Sequence, residues 1–330
     1  MAKSKKSKKQ ERKRKSRTLI LLLFLTIIMF GTSTYAWFTA NKVVTINSID
    51  VNVQASEGIQ ISTDGVTWKS VITNADITEN AYSGNTNQFP TYVTNVSTDG
   101  TASSGTLNMY GATIDSSATV NDGKYTIVTS KETESAGTTG KYIAFDIFLR
   151  VNDSTPVYLT TESNVSNLDA TDKGLKNAAR VGFVNLGNTA SDSAASVITA
   201  LTAATPTVII WEPNTDTHTS IVTNNVAPEY EVTLGATSTT YYGIKEAITT
   251  PTDLVNVVTG STTHTTQVNP TISTVAAFTS YQNFATLQAG ITKYRVYMWI
   301  EGQDIDCENN ATGSNIQFNV QLSTESSASS

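Results

Sequence analysis

Short apolar alternations separated by polar, turn-forming stretches run along most of the chain. Ile49, Val51 and Val53 alternate with Asp50, Asn52 and Gln54, the period of a strand with one buried face. Residues 58–62 repeat the signature, and Asp64-Gly65 behind them is a type I′ hairpin signal that predicts a returning strand at 67–69. Residues 142–151 are apolar almost throughout, which predicts a central strand covered on both faces. Further strands are expected at 156–160, 180–185 and 207–211. Tyr294, Val296, Met298 and Ile300 share one face of a strand at 293–300, and 315–322 is a clean amphipathic strand. Two short helices are predicted, at 171–179 behind a Thr171 or Asp172 cap and in the Ala-rich stretch 193–204.

The stretches 73–140 and 214–290 are rich in Gly, Ser, Thr and Asn. Weak strands are expected at 89–96, 105–110, 125–128, 229–234 and 239–244, a short apolar segment at 254–258, and turns at Asp99-Gly100 and Asp122-Gly123. The first stretch reads as a flexible surface insertion. The strongest strands come from the beginning, middle and end of the chain, so one domain with insertions is expected. Many short strands with few helices predict an all-β fold, a jelly-roll-like β-sandwich with long Thr/Ser/Asn-rich loop insertions. Trp68, Trp211 and Trp299 fall in predicted strands and are expected in the core.

The front of the chain follows another pattern. Residues 19–30 are apolar except for Thr26, and the residues before them are intensely basic. A run of about a dozen residues is short for a membrane span, which needs roughly 20, and suits a signal-peptide core. The expected signal peptide is 1–36, with a basic region at 1–17 and a hydrophobic region at 18–30. Small residues Ser33 and Ala36 stand at −3 and −1 of a cut after Ala36, so signal peptidase would leave Trp37 at the front of an extracellular domain, 37–330. Counted through to Phe38, the apolar stretch from residue 18 reaches spanning length, and the same residues then read as an uncleaved membrane anchor.

Charge sharpens this division. Residues 1–36 hold ten of the 22 Lys and Arg and one of the 28 Asp and Glu, which leaves 12 basic against 27 acidic groups beyond them, a net of −15. A body this acidic argues against nucleic-acid binding, because little remains to neutralise phosphates. Cys307 is the single cysteine, so no internal disulfide framework is expected and stability must come from sheet packing. Glu301, Asp304, Asp306 and Glu308 form an acidic cluster that could hold Ca²⁺, although EF-hand spacing is missing and a solvated turn after a strand is the favoured reading. His218 and His264 lie in Thr-rich stretches without motif context, and no zinc-protease, nucleophile-elbow or phosphate-loop motif is present. The expectation is a protein without catalysis.

The Ala36-Trp37-Phe38-Thr39 junction behind a short hydrophobic region, followed by the strand pattern at 43–53, resembles the SipW-type signal of the TasA/camelysin-like biofilm matrix proteins. Residues 145–151, 174–184 and Met298-Trp299-Ile300-Glu301-Gly302 with Asp304 and Cys307 are similar to a broader group carrying that signal. The resemblance implies an exported or surface-retained jelly-roll protein that assembles into fibres, the freed N-terminal segment of one subunit completing the sheet of the next. Independently of it, an alternating segment with a free end can add to another sheet edge. The expected donor, Trp37 to Val53, includes Val43, Thr45, Ile49, Val51 and Val53, and the expected partner is a second copy of the chain; the same segment reads equally as an ordinary first strand paired within its own domain. The alternative is a membrane-anchored surface module that binds carbohydrate or a host protein.

Overall fold

The computed structural model describes residues 49–56, 58–79, 82–114, 125–172, 175–212, 229–234, 237–242, 272–275, 280–302 and 313–326. These residues form an all-β, sandwich-like arrangement of two mixed sheets with two five-residue helices. The first sheet runs β15 (Gln282–Leu287), β8 (Thr155–Leu159), β17 (Ile316–Ser323), β1 (Ile49–Ala55) and β3 (Val71–Thr73), with β9 (Asn164–Asn167) also on β17. The second centres on β16 (Gly290–Glu301). One edge of β16 carries β10 (Ala179–Thr189), then β11 (Thr207–Glu212) and β14 (Ile272–Val275). Its other edge pairs first with β7 (Ile143–Val151) and then, in parallel, with β4 (Asn95–Ser103). Beyond β4 lie β5 (Thr106–Ile114), β6 (Tyr125–Glu132), β12 (Glu229–Leu234) and β13 (Thr237–Tyr242), and β2 (Gln60–Ser62) borders β7.

The period-two alternation decides the main core. Val51, Val53, Phe318, Val320 and Leu322 of the first sheet meet Phe145, Ile147, Leu149, Val296 and Met298 of the second in one buried cluster. Each such side chain contributes roughly 1.5–3 kcal/mol on burial. Ile49 opens β1 opposite Ile316, and all seven β1 residues pair in parallel with β17. The strand also takes an antiparallel partner, β3, over three residues.

Several local expectations change. Asp64 does not adopt the positive φ that a type I′ turn demands; only Gly65 does, at +72°. Instead the Asp64 carboxylate accepts the backbone N–H groups of Val66 and Thr67 at 2.8 and 2.7 Å and folds the loop around itself. Lys69 makes only an isolated bridge back to Ile61, and the chain crosses to β3 in the other sheet. Asp99-Gly100 is a register irregularity within the β4–β5 pair, and the turn lies at Ser104-Gly105. The predicted helix at 171–179 is a 3₁₀ turn over Leu175–Ala178, and that at 193–204 shortens to Ala195–Thr199. The helix at Asn74–Thr78 (α1; Ala195–Thr199 is α2) and strands β9, β14 and β15 have no counterpart among the expected elements. The apolar segment 254–258 and the Asp122-Gly123 turn lie outside the described residues.

The stretch expected as a flexible insertion is partly a packed layer. Leu107 and Met109 of β5 and Val96 of β4 are buried against the outer face of the second sheet, in a cluster with Ala144, Val184, Ile210, Tyr297 and Trp299. A smaller cluster on the same face joins Phe148, Ile198 and Ile291, with Trp68 and Tyr82 against it. Trp211 and Trp299 are core residues, whereas Trp68 is half-buried in the loop before β3. Among the described residues no helix is long and apolar enough to cross a membrane.

Candidate functional site: a cavity over a buried ion network

Between these two outer clusters the face of β7 and β16 is polar. Strand alternation sends Phe145 and Ile147 inward and therefore Asp146 outward; by the same rule Lys293, Arg295 and Tyr297 point outward between Tyr294, Val296 and Met298. Asp146 stands opposite Arg295 in the antiparallel register. Arg295 Nη1 donates to Asp146 Oδ1 at 2.9 Å, while its Nε and Nη2 donate to Glu134 Oε2 at 2.9 and 2.6 Å. Nη2 also reaches the Thr86 carbonyl at 2.8 Å. Lys293 Nζ lies 3.2 Å from Asp146 Oδ2 and donates to the Thr199 carbonyl at 2.7 Å. The Tyr82 hydroxyl donates to Asp146 Oδ2 at 2.5 Å, and the Tyr297 hydroxyl donates to Glu134 Oε1.

The side chains of Asp146 and Arg295 are each 3% exposed, Lys293 8% and Glu134 11%, so two acids and two bases are taken out of water together. Desolvation of each ion costs several kcal/mol, and only close pairing with further hydrogen bonds offsets it. Burial would lower the Arg295 pKa, but the carboxylates of Asp146 and Glu134 override that and raise it. Burial, then the neighbouring Asp146 carboxylate, raises the Tyr82 pKa; burial and Glu134 do the same for Tyr297. Both phenols therefore stay neutral donors.

The segment carrying Thr86 is pinned to the free edge of β7, beyond the reach of the three-residue strand β2. Gln88 exchanges backbone hydrogen bonds with Ala144 at 2.7 and 2.9 Å, and Asn87 Oδ1 accepts the Asp146 N–H at 3.1 Å. Gln88 Oε1 accepts the Ser135 N–H at 2.5 Å, which holds the loop bearing Glu134. A Cβ at Gly140 would come within 2.3 Å of the Gln88 side chain, and Gly140 has φ +110°, so this crossing requires glycine.

Above the network lies a cavity of about 400 Å³ with Asp146, Lys293 and Arg295 at its base. Its walls come from the 82–86 segment, the Ser104-Gly105 turn with Thr106, Leu186, and the end of α2 through Thr202. The Asp146 carboxylate is already engaged by Arg295, Lys293 and Tyr82, and both histidines and the cysteine of the chain lie outside the described residues.

The positions singled out in the sequence lie elsewhere. Val51 and Val53 are core residues of β1. Ser33, Ala36, Trp37, Val43 and Thr45 are outside the described residues, as are Asp304, Asp306, Cys307 and Glu308. Glu301 ends β16, 1% exposed, and accepts the Trp299 indole N–H at 3.2 Å. Among the described residues no three His, Cys, Asp or Glu side chains gather in a metal-binding group. The network itself left a usable trace in the sequence: one acid inside the apolar run 142–151, and two bases inside the run 293–300.

No protein-family model, no curated protein and no solved structure matches the chain.

Proposed function

We propose that this is an exported, non-catalytic structural protein, a surface or matrix fibre subunit on a jelly-roll-like sandwich, joined to its neighbours by exchange of the strand Ile49–Ala55. Signal peptidase acting after Ala36 frees the segment ahead of that strand. The observation that carries the reading is the pairing of β1. It fills a slot between β17 and β3, with seven parallel partners from Ile49 opposite Ile316 to Ala55 opposite Leu322. Val51 and Val53 are the apolar side chains that seal it.

A strand in such a slot belongs to its own body through one connection, the few residues between Ala55 and β2. The same strand from a second copy offers the same hydrogen bonds and the same side chains. Closed and exchanged forms then differ mainly in linker strain and concentration, the condition under which swapping is inexpensive. A donation that passes from copy to copy does not close and grows a filament.

Gln54 and Gln321 are register partners whose side chains touch, Nε2 to Oε1 at 3.3 Å. We expect the exported protein carrying Gln54→Cys and Gln321→Cys, with Cys307→Ser, to give a ladder of covalent multimers on a non-reducing gel after oxidation. A crosslink that forms only within single chains, at concentrations up to the solubility limit, would overturn strand exchange.

A further inference from the structure

We propose that the cavity over the Asp146–Arg295–Lys293 network is a binding site for a neutral, polyhydroxylated ligand, a saccharide unit. This proposal stands on different residues from the strand exchange above and does not depend on assembly.

The location comes first. The two outer apolar clusters each fasten a separate cover to the second sheet, one through Leu107 and Met109, the other through Ile198 with Tyr82. The cavity opens where these covers fail to meet, and its volume of about 400 Å³ falls in the range of roughly 300–1,000 Å³ typical of small-ligand pockets. An uncovered gap needs only a solvated floor. Here the floor is three buried ions, Asp146, Lys293 and Arg295, with Glu134 paired to Arg295 behind them, and apolar residues of similar volume could replace the network without loss of stability.

Charge then narrows the ligand class. Asp146 and Glu134 cancel Lys293 and Arg295. An anion or a cation finds no uncompensated partner, and a zwitterion gains its contacts only by breaking existing pairs. A hydroxyl needs neither. Arg295 has five N–H donors, and four hydrogen bonds leave it, three to the two carboxylates and one to Thr86, so among the described residues one N–H is unused. Among the described residues, Asp146 Oδ1 accepts from Arg295 alone. Both residues line the cavity. A spare donor beside a spare acceptor matches a group that donates and accepts at once, and adjacent hydroxyls on a sugar ring supply it twice over.

The walls agree with this class. Ser83, Ser104, Thr106 and Thr202 offer hydroxyls, and Leu186 with Leu201 gives a small apolar flank of the kind that the C–H face of a sugar ring can cover. Tyr82 supplies a ring of the kind on which sugar faces stack. Tyr82, Ser83 and Thr199 also line a second cavity of about 500 Å³, reached past Asp64 and Val66. Two neighbouring cavities that share a tyrosine suit consecutive units of an oligosaccharide.

The test is saturation-transfer difference NMR on the full-length chain, kept in solution with lauryldimethylamine oxide, a detergent without a sugar headgroup. The probes are the methyl glycosides of glucose, galactose, mannose and N-acetylglucosamine, with glutamate and methyl phosphate as charged comparators. We expect transfer to at least one glycoside and to neither charged probe. Thr202→Trp, an exposed rim position that leaves the ion network untouched, is expected to weaken binding at least 10-fold without lowering the unfolding temperature. Thr202→Gln, a smaller intrusion, is expected to give an intermediate loss and decides the matter if the tryptophan variant misfolds. Transfer to no glycoside, transfer to glutamate or methyl phosphate instead, or glycoside binding unchanged in these rim variants would overturn the proposal.

Discussion

The inner and outer faces of the β7–β16 pair are made of alternate residues on the same two strands, yet they are closed in different ways. Inward, Phe145, Ile147, Leu149, Val296 and Met298 need only shape and volume from the facing sheet. Outward, Asp146, Lys293, Arg295 and Tyr297 need particular partners, and those come from residues 82, 86, 134 and 199, scattered through the chain. Apolar packing is forgiving of identity and unforgiving of cavities. An ion network is the reverse: it tolerates a polar void beside it, and removal of one member strands the others. That difference places the cavity on the outer face.

The largest expected effect is therefore on the outer face. Asp146→Ala leaves Lys293 and Arg295 short of a counter-charge in a dry site, and we expect a loss of about 4 kcal/mol, as for one partner of a buried pair. Its sequence neighbour Ile147→Ala should cost about 3 kcal/mol through lost transfer energy and a cavity. Urea unfolding of both variants at pH 7 measures the contrast. Replacing the network together, with Asp146→Leu, Glu134→Gln, Lys293→Met and Arg295→Met, should recover most of the loss, because the stranded charges leave with their partner. If Asp146→Ala cost under 1 kcal/mol, the network would be solvated and the contrast between the faces would fail.

The tyrosines sharpen the same contrast at alkaline pH. Burial pushes Tyr294, on the inner face, up to about 12, with an Asn185 hydrogen bond opposing it. Tyr82, Tyr297 and Tyr142 are raised by burial and by carboxylates: Asp146 for the first, Glu134 for the other two. A folded pKa raised above the unfolded value of about 10 gives stability that is complete below pH 10 and lost as pH climbs through the folded value. Four of the 13 tyrosines should therefore stay silent in a 295 nm titration until the chain unfolds. Glu134→Gln should lower the onset for Tyr297 and leave Tyr294 unmoved. If all 13 ionised together near pH 10 while the sheet CD signal persisted, burial of these phenols would be refuted.

What could be read from the sequence divides along the same line. Alternation is local, so β1, β7, β16 and β17 and their inward residues were legible from spacing alone. The covers were not. The stretch 82–114 is polar and weakly patterned because much of what it buries is polar, Asn87, Gln88, Thr94, Thr98 and Asn108 beside Val93, Val96, Leu107 and Met109, and it hangs from β7 through Gln88 and Asn87. Short turns misled for a related reason: Asp64 and Asp99 satisfy the local chemistry of a hairpin, while the choice of sheet or register is made by distant strands. Arg295 pairs with Glu134, 161 positions away, and no spacing rule joins them. The usable clue was an imbalance, charged residues inside strands too apolar to leave either face in water.

The smallest expected effect lies at the solvent end of β7, where the outer face meets water. Arg150 lays its guanidinium 4.1 Å from the centroid of the Trp68 ring, and its Nε and Nη2 both donate to Gln60 Oε1, at 2.8 and 2.5 Å. The contact joins β7, β2 and the Asp64 loop, so it holds the loop that faces the second cavity. Water still reaches this charge, and a half-exposed cation over a ring is worth about 0.5–1 kcal/mol. Arg150→Ala should cost about that in urea unfolding, and Arg150→Lys part of it, since lysine keeps the charge but not the planar stack. The informative reading is the ratio to Asp146→Ala, four positions earlier on the same face. A loss at Arg150 as large as that at Asp146 would mean that the low-dielectric strip extends to the end of the strand, and that the Trp68 loop seals the outer face instead of resting on its rim.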